Sequence, residues 1–306
     1  MIVADLDPAQ LKRALASRAG LRLRTGPVVT QIRSSLDAVR AGIALHYAQH
    51  PLVDPAGFAD FHVAIDRPSG FRRWLKPQVL FSFDGESPFT PLPGDQGLPM
   101  LEWGLNWCVS SHCHQYLTLH AAVVERGGRA LILPAPPGSG KSTLCAGLIF
   151  SGWRLLSDEL ALIEPRSGQL RGLARPVSLK NASIEAIGAF APQARLSPVV
   201  HETSKGSIAH VQPPRDSVIQ VDTPANPGWI VLPRYAPGAP ARLDPLTRAE
   251  AFMQLVDNAF NYHLHASRGF EVLTALVDRC HCYRFTYSRL EEAAPLFAGL
   301  ADGAPP

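Results

Sequence analysis

A run of small residues between an apolar strand and a helix constrains the fold of this chain more than any other feature. Residues 129–135 are predicted to form a buried strand, and a helix is predicted from about Ser142 to Phe150. The connecting loop consists of Ala135, Pro136, Pro137, Gly138, Ser139, Gly140, Lys141 and Ser142. This stretch fits the phosphate-loop pattern, with Ala135 in the place of the first glycine. A strand, a small-residue loop and a helix in this order predict an α/β fold.

The residue types in this loop suit the binding of a polyphosphate. Small residues allow the backbone N–H groups to turn inward, and the following helix directs the positive end of its dipole at the same point. Lys141 is expected to bridge the β- and γ-phosphates, and the Ser142 hydroxyl is expected to hold Mg²⁺. Thr143 follows directly and belongs to the same binding segment. The loop therefore predicts ATP and Mg²⁺ as cofactors.

An acidic pair follows the next predicted strand. Asp158 and Glu159 come directly after the apolar residues of this strand, 17 and 18 residues beyond Lys141. A nucleoside triphosphate site needs a carboxylate on a neighbouring strand for the metal or the nucleophile, and this pair has a suitable position. Two alternatives stay open. In the first, Asp158 and Glu159 only cap the next element. In the second, Asp222, which follows another apolar run, supplies the carboxylate of the site.

Composition and charge exclude several other classes of protein. The 306 residues include 29 Lys and Arg against 26 Asp and Glu, and the net charge of +3 is too small for a nucleic-acid or membrane-surface footprint. No apolar run approaches the length of a spanning helix. The N-terminal residues show no signal-peptide pattern, and five cysteines are unlike a disulfide framework. A cytoplasmic protein is therefore expected, with neither nucleic acid nor membrane as a partner.

The N-terminal third has the pattern of a small α+β unit. Apolar and polar residues alternate at 21–32 around a Gly-Pro turn, which predicts a hairpin. Further alternating or apolar runs predict strands at 60–66 and 79–84, and a serine-capped helix is expected near 36–48. The stretch 91–99, rich in proline and glycine, is the predicted linker to the rest of the chain.

The remainder of the chain has the pattern of a longer α/β unit. Gly127-Gly128 is predicted to join strands at 117–125 and 129–135 in a hairpin, and Thr247 with Glu250 forms a capping box. The other predicted strands lie at 153–157, 160–164, 207–211, 218–221, 228–232 and 281–287, and the other helices at 100–116, 247–260 and 269–279 and from Leu290. We therefore expect a small α+β domain at 1–95 and an ATP-binding catalytic domain at 96–306.

Three segments of this second unit resemble the catalytic half of a known family. They are Leu119-His120-Ala121-Ala122-Val123, Gly138-Ser139-Gly140-Lys141-Ser142 and Gly152-Trp153-Arg154-Leu155-Leu156-Ser157-Asp158-Glu159. In order and spacing they resemble the HPr kinase/phosphorylase superfamily, and most closely the kinases called HprK-related kinase A. The resemblance covers about residues 100–300. It implies a phosphate-loop nucleotide domain with a mixed sheet, similar to that of phosphoenolpyruvate carboxykinase, after the small α+β domain.

The resemblance also implies roles for individual residues. Asp158 would be the general base that takes the proton of an acceptor hydroxyl, and His120 would lie beside the acid pair and set its charge state. Glu159 would be the second acid and, with Ser142, a candidate ligand of Mg²⁺. A carboxylate beside Lys141 and Mg²⁺ is expected to have a depressed pKa, so Asp158 would act by positioning the hydroxyl as much as by basicity.

The predicted function is transfer of the γ-phosphoryl group of ATP to a Ser or Thr hydroxyl of a protein or peptide, with a small-molecule hydroxyl as second choice. One alternative is a non-catalytic nucleotide-binding regulatory or scaffold protein, and another is a plain ATPase. The family also implies a homo-oligomer. The phosphorylase half-reaction is not expected, because Thr143 and Ala121 stand where the bifunctional enzymes carry Glu and Gly. HPr itself is not the expected acceptor, because the Glu-x-Arg-Gly-Leu-Gly segment of true HPr kinases is represented at best by Gln169-Leu170-Arg171-Gly172-Leu173, with Gln in the place of Glu.

Three basic residues downstream are further candidates for the site. Arg175, Lys180 and Lys205 lie beside glycine and proline in segments that resemble motifs of the related kinases. Cations in such segments are able to neutralise charge that develops on a transferred phosphoryl group. The alternative is that each is a solvated loop residue.

Overall fold

The first sheet of the protein is built from N-terminal residues. The computed structural model describes residues 1–68 and 77–303. The strands of this sheet are β1 (Leu21–Thr25), β2 (Val28–Ser34), β3 (Phe61–Asp66), β4 (Gln78–Phe83) and β5 (Leu92–Pro93). They lie side by side in chain order, with β2 and β3 parallel and the other neighbours antiparallel. The predicted hairpin and both predicted strands are confirmed.

Among the residues that the structure describes, three helices pack with this sheet and form the N-terminal layer with it: α1 (Pro8–Ala16), α2 (Asp37–His46) and α3 (Gly97–His112). The Asp7 carboxylate accepts the first free N–H groups of α1, as the sequence Asp-Pro at a helix start favours. Buried residues of α3, among them Leu101 and Leu105, share one hydrophobic cluster with the apolar faces of the sheet and of α2. The burial of these faces holds the layer together.

The stretch 91–99, predicted to be a linker, is part of this packed layer. Leu92–Pro93 pairs with β4, and α3 already begins at Gly97, where the buried Leu98 lies against Gly42 of α2. The linker interpretation is wrong because these apolar side chains gain burial that a free linker does not have. The predicted domain boundary at residue 95 stays a prediction. That boundary assigns α3 to the second domain, whereas α3 packs with the N-terminal layer.

A second sheet of eight strands forms the centre of the rest of the chain. Its strands are β6 (Leu117–Arg126), β7 (Arg129–Pro134), β8 (Arg154–Ser157), β9 (Leu160–Ile163), β10 (Leu170–Arg171), β14 (Asn226–Tyr235), β15 (Arg242–Pro245) and β16 (His281–Tyr287). The order is β10-β9-β6-β7-β14-β16-β15, and β8 also pairs with β6. Because β14 is parallel to β7 and β16 while the other pairs are antiparallel, the sheet is mixed.

Helices cover both faces of this central sheet, which makes the protein a mixed α/β fold. The helices after α3 are α4 (Lys141–Ile149), α5 (Ala182–Phe190), α6 (Arg215–Ile219), α7 (Arg248–Asp257), α8 (Tyr262–Arg279) and α9 (Leu290–Ala301). Leu144 of α4 and Phe297 of α9 share a buried cluster with Trp229 of β14. Leu273 of α8 packs with the next residue of β14, Ile230, on the opposite face.

Three further strands, β11 (Val177–Lys180), β12 (Val200–Thr203) and β13 (Gly206–Val211), form a third sheet in the order β11-β13-β12. β13 confirms the strand predicted at 207–211. The strand predicted at 218–221 is wrong, because residues 215–219 form the short helix α6 instead. Val218 and Val221 are buried and Ile219 is exposed, so the core side chains are three residues apart, as in a helical turn, and do not alternate as in a strand.

The capping box predicted in the C-terminal part is confirmed. Thr247 Oγ1 accepts the Glu250 N–H at 3.2 Å, and Glu250 accepts the Thr247 N–H at 2.9 Å, which is the predicted capping box. The helix predicted at 269–279 is confirmed as the longer part of α8, which follows a break in the helix at Ala266, where φ is 48°. Within the described ranges no helix is both long and apolar enough to cross a membrane.

A buried polar network joins the N-terminal layer to the segment before β11. The Arg175 guanidinium donates to the Glu102 carboxylate at 2.7 Å and to the Glu102 carbonyl at 3.0 Å. The Tyr47 hydroxyl donates to the same carboxylate at 2.7 Å. His50 Nε2 donates to the Ala174 carbonyl at 3.2 Å. These contacts fasten α2 and α3 to the segment that leads into the third sheet.

Three buried histidines near this network make the stability of the protein depend on pH. Burial lowers the pKa of His46, His50 and His210 to about 4. Because an unfolded histidine titrates near 6.5, the unfolded state binds more protons between these values. We expect the free energy of unfolding to be highest above about pH 6.5 and to fall as the pH is lowered towards 4, by up to about 3 kcal/mol for each histidine.

Urea unfolding at several pH values between about 7 and 4.5 measures this effect. His46→Gln should remove part of the pH dependence, whereas the same change at the exposed His114 should leave it as it is. A free energy of unfolding that stays constant over this range would contradict the prediction.

Candidate functional site

The loop predicted to bind phosphate leads from β7 into α4. Gly138 and Gly140 have φ values of 87° and 89°, a region that is open to glycine and strained for other residues. A side chain at Gly140 would in addition place its Cβ 2.5 Å from the Tyr287 hydroxyl. α4 begins at Lys141, directly after this turn. The backbone conformation and this close approach therefore explain both glycines.

Lys141 lies at the centre of the predicted site. Its side chain is buried, and its ammonium donates to the Asp158 backbone carbonyl at 3.1 Å. Lys141 Nζ also lies 3.3 Å from His120 Nε2 and 3.5 Å from Glu159 Oε2. The structure thus brings together the four residues that the sequence analysis assigns to catalysis.

The sheet topology explains this juxtaposition. His120 lies on β6 opposite Leu160 of β9, and β8 pairs with the same strand. Asp158 and Glu159 occupy the turn between β8 and β9, so both acids lie beside His120. The phosphate-type loop follows β7, which is the other neighbour of β6. Residues from three separate stretches therefore meet at one edge of the central sheet.

His120 connects the two charged partners of the site. Its Nε2 lies 3.0 Å from Glu159 Oε2. When this nitrogen carries a proton it donates to Glu159, and when it is bare it accepts from Lys141. Burial acts to raise the pKa of Glu159, but the Lys141 ammonium and the His120 hydrogen bond outweigh it, so this pKa is lowered. Glu159 is therefore the ionised acid of the pair.

Asp158 has the opposite electrostatic character. It is 3% exposed, its Oδ2 accepts the Ser178 N–H at 3.0 Å, and its Oδ1 has no hydrogen-bond partner in the described part of the chain. Burial, and next the charge of Glu159, raise the pKa of Asp158 to about 6. Without the metal, desolvation and the Glu159 charge outweigh the Lys141 ammonium, which contacts the backbone carbonyl of Asp158. The depression of this pKa beside both Lys141 and Mg²⁺ stays a prediction.

The three downstream basic residues lie in two different environments. Lys180 and Lys205 are close enough to Glu159 for their charges to interact with it. Burial, and next the charge of Lys180, lower the pKa of Lys205, whose ammonium lies 4.9 Å from the Trp103 ring. Arg175 instead forms a buried ion pair with Glu102. It is therefore neither a solvated loop residue nor a cation that faces the phosphate site.

The competing acid Asp222 lies outside the site. It is exposed and forms an ion pair with Arg24 of β1. The alternative that Asp222 supplies the carboxylate of the site is therefore wrong.

A small cavity adjoins Asp158 on the side of α3. Its volume is about 20 Å³, which is room for one water molecule. Asp158, Ser178 and His210 line it, and each has a buried polar side-chain atom without a hydrogen-bond partner in the described residues. Sequence analysis missed Ser178 and His210, which lie opposite each other on β11 and β13, because strand pairing alone brings them together.

The oxygen donors at the start of α4 fit a magnesium ion. Mg²⁺ prefers carboxylate and hydroxyl oxygens and usually takes only one or two of them from the protein. The Ser142 hydroxyl is close enough to Asp158 to act on the pKa of that carboxyl, without a hydrogen bond between them in the structure, and the ionised Glu159 is adjacent. Among the described residues no group of three or more His, Cys, Asp or Glu is placed to hold a metal, so the other ligands must come from phosphate and water.

Comparison with known proteins finds a distant similarity. The chain is similar to the solved structure of the HPr(Ser) kinase/phosphatase from Coxiella burnetii, with 12% sequence identity and a TM-score of 0.24, over 60% of this chain and 93% of that chain. No protein-family model and no curated protein matches the chain. A TM-score this low transfers no residue role, so the roles below follow from the geometry of the site itself.

Proposed function

We propose that this protein is a Mg²⁺- and ATP-dependent kinase that transfers the γ-phosphoryl group to a hydroxyl. The observation that carries the proposal is the position of the Lys141 ammonium, which is buried and lies within 3.5 Å of Glu159, His120 and the Asp158 carbonyl at the start of α4. A fixed ammonium at a helix N-terminus favours bound phosphate, and it needs no reorganisation when charge moves during transfer.

The charges around the site support a polyphosphate as the ligand. The charges of Lys141 and Lys180 act on both Glu159 and Lys205, and Asp158, with a pKa near 6, is the second carboxyl of the site. Burial, and next repulsion from Lys180, lower the pKa of Lys205. An anionic ligand would relieve this repulsion.

Asp158 suits the role of general base. A base is most effective when its pKa lies near the working pH, and burial brings this carboxyl to about 6. Ser178 donates only to Oδ2, so the buried Oδ1 keeps an acceptor position for the proton of a hydroxyl that enters the site. The hydroxyl oxygen attacks the γ-phosphorus, the bond from that phosphorus to the β–γ bridging oxygen breaks to release ADP, and the hydroxyl proton passes to Asp158.

The remaining residues hold the donor in place. Ser142 and Glu159 would bind the Mg²⁺ that accompanies ATP, which neutralises phosphate charge when bound. His120 keeps Glu159 ionised and links it to Lys141. The backbone of residues 135–140 and the side chain of Thr143 would surround the α- and β-phosphates. We further propose a Ser or Thr hydroxyl of a protein or peptide as the acceptor, and a homo-oligomer as the assembly.

The first test compares Mg·ATP binding by the intact protein with binding by Lys141→Met. We expect a dissociation constant of about 1 μM, near −8 kcal/mol, for the intact protein. Loss of the charged hydrogen-bond donor should weaken binding by about 10- to 100-fold, since such bonds contribute about 1.5–3 kcal/mol. Isothermal titration calorimetry measures both values.

Lys12→Met on the exposed surface of α1 is the matched control, with the expected affinity of the intact protein. Equal affinities for the intact protein and Lys141→Met would contradict the assignment of the loop. Binding without any phosphoryl transfer to an acceptor or to water would favour the regulatory or scaffold alternative instead.

A further inference from the structure

An exposed tyrosine lies directly against the phosphate-type loop. Tyr235 ends β14, and its backbone N–H donates to the Ser139 carbonyl at 3.0 Å. A Cβ placed on Gly140 would lie 3.1 Å from the Tyr235 Cβ. The loop is thus hydrogen-bonded to β14 at this residue, and the Tyr235 side chain lies beside Gly140.

The ring of Tyr235 is not needed to pack the loop. The neighbouring Tyr287 performs that role, because it is buried and its hydroxyl donates to the Gly140 carbonyl at 2.8 Å. The Tyr235 ring meets Tyr287 edge to face, with 5.9 Å between centroids, and remains 50% exposed. A large aromatic face is therefore presented to solvent beside a loop that is built from small residues.

The position of this ring relative to Lys141 indicates what it could bind. Lys141 contacts His120 and Glu159 on one side of the loop, which is the side proposed for the γ-phosphate. Tyr235 contacts the loop through Ser139 and Gly140, on the β14 side. A triphosphate that runs from the acids along the loop would carry its ribose and base towards β14.

We propose that the Tyr235 ring is the platform on which the base of the bound nucleotide stacks, an inference that rests on the proposed function. Every nucleobase has a π-face, so a stacking platform binds bases without reading their hydrogen-bonding edges. The ring by itself therefore does not select between adenine and guanine. Two other aromatic residues near the site, Trp103 under Lys205 and Phe260 beside His120, lie on the side of the acids and do not serve the base.

The experiment compares two probes, Mg·ATP and Mg·tripolyphosphate, on four forms of the full chain. The forms are the intact protein, Tyr235→Ala, Tyr235→Trp and Phe270→Ala, the last being a control at another exposed aromatic residue, on α8. Tyr235→Ala should weaken Mg·ATP binding by roughly 5- to 100-fold and leave tripolyphosphate binding unchanged, because only ATP has a base to stack. Tyr235→Trp should retain or strengthen Mg·ATP binding, and Phe270→Ala should change neither.

Each of the other possible results would contradict either the stacking role of Tyr235 or the proposed function. If Tyr235→Ala weakens both probes equally, the residue supports the loop and the stacking role is wrong. If Mg·ATP binding is unchanged in Tyr235→Ala, or is lost in Tyr235→Trp, the base does not lie on this ring. If the intact protein binds neither probe, the proposed function itself fails, and the inference fails with it.

Discussion

Asp158→Asn is expected to lower the rate of phosphoryl transfer by about 10²- to 10⁴-fold, the range that a positioned general base contributes. The substitution keeps the size of the side chain and removes its ability to take a proton. The Ser178 N–H can still donate to the remaining oxygen, so the local fold should survive. Because Lys141 contacts the backbone carbonyl of Asp158, the affinity for Mg·ATP should stay within a few-fold of the intact protein.

The measurement is the initial rate of label transfer from γ-labelled ATP to an acceptor or to water, with Mg·ATP affinity measured on the same preparations. Asp222→Asn is the matched control, since this exposed acid is distant from the site and pairs with Arg24. Unchanged turnover in Asp158→Asn would remove the residue from the reaction. A loss of Mg·ATP binding in parallel with turnover would instead point to a role in holding the nucleotide.

Glu102→Ala is expected to lower the free energy of unfolding by about 3–5 kcal/mol, the usual cost of removing one partner of a buried ion pair. The Arg175 guanidinium and the Glu102 carboxylate are almost completely buried and 2.7 Å apart. Arg175 cannot lose its charge at accessible pH, so without Glu102 it would remain as an unpaired buried cation. The Tyr47 hydroxyl would lose its acceptor as well.

Urea denaturation at neutral pH measures this effect, and two variants make the comparison specific. Glu164→Ala breaks the Glu164–Arg171 pair, which is one-third exposed, and should cost at most about 1 kcal/mol. The double variant Glu102→Leu/Arg175→Met should recover most of the loss, since apolar replacement of a buried pair is often neutral. A cost below 1 kcal/mol for Glu102→Ala would show that water or movement compensates Arg175.

The chemistry of the site could be read from short stretches of the chain. The loop at 135–142 has a local pattern, because small residues and a lysine at fixed spacing serve one backbone turn and one helix start. The acids Asp158 and Glu159 follow one strand later, and His120 lies on the first strand of the hairpin. Three local motifs therefore contain Lys141 and the three residues that meet around it.

The partners of these residues could not be read in this way. Ser178 and His210 meet only because β11 pairs with β13, and Arg175 meets Glu102 across 73 positions of sequence. Tyr235 reaches the loop because β14 lies parallel to β7, its neighbour in the sheet and far from it in the chain. No periodic pattern in the sequence predicts these long-range contacts.

The sequence by itself determined the α/β class and the strand, loop and helix at 129–150, because these depend on neighbours within a few residues. It also indicated Lys141, Asp158 and Glu159 as candidates for the site, and their roles stay predictions. Only the tertiary structure decided that the stretch 91–99 is packed and is not a linker, and that Arg175 forms a buried ion pair with Glu102. It also decided that the pKa of Asp158 is raised. The physical reason is that burial and long-range contact set these properties, since desolvation and distant charges have no local sequence signature.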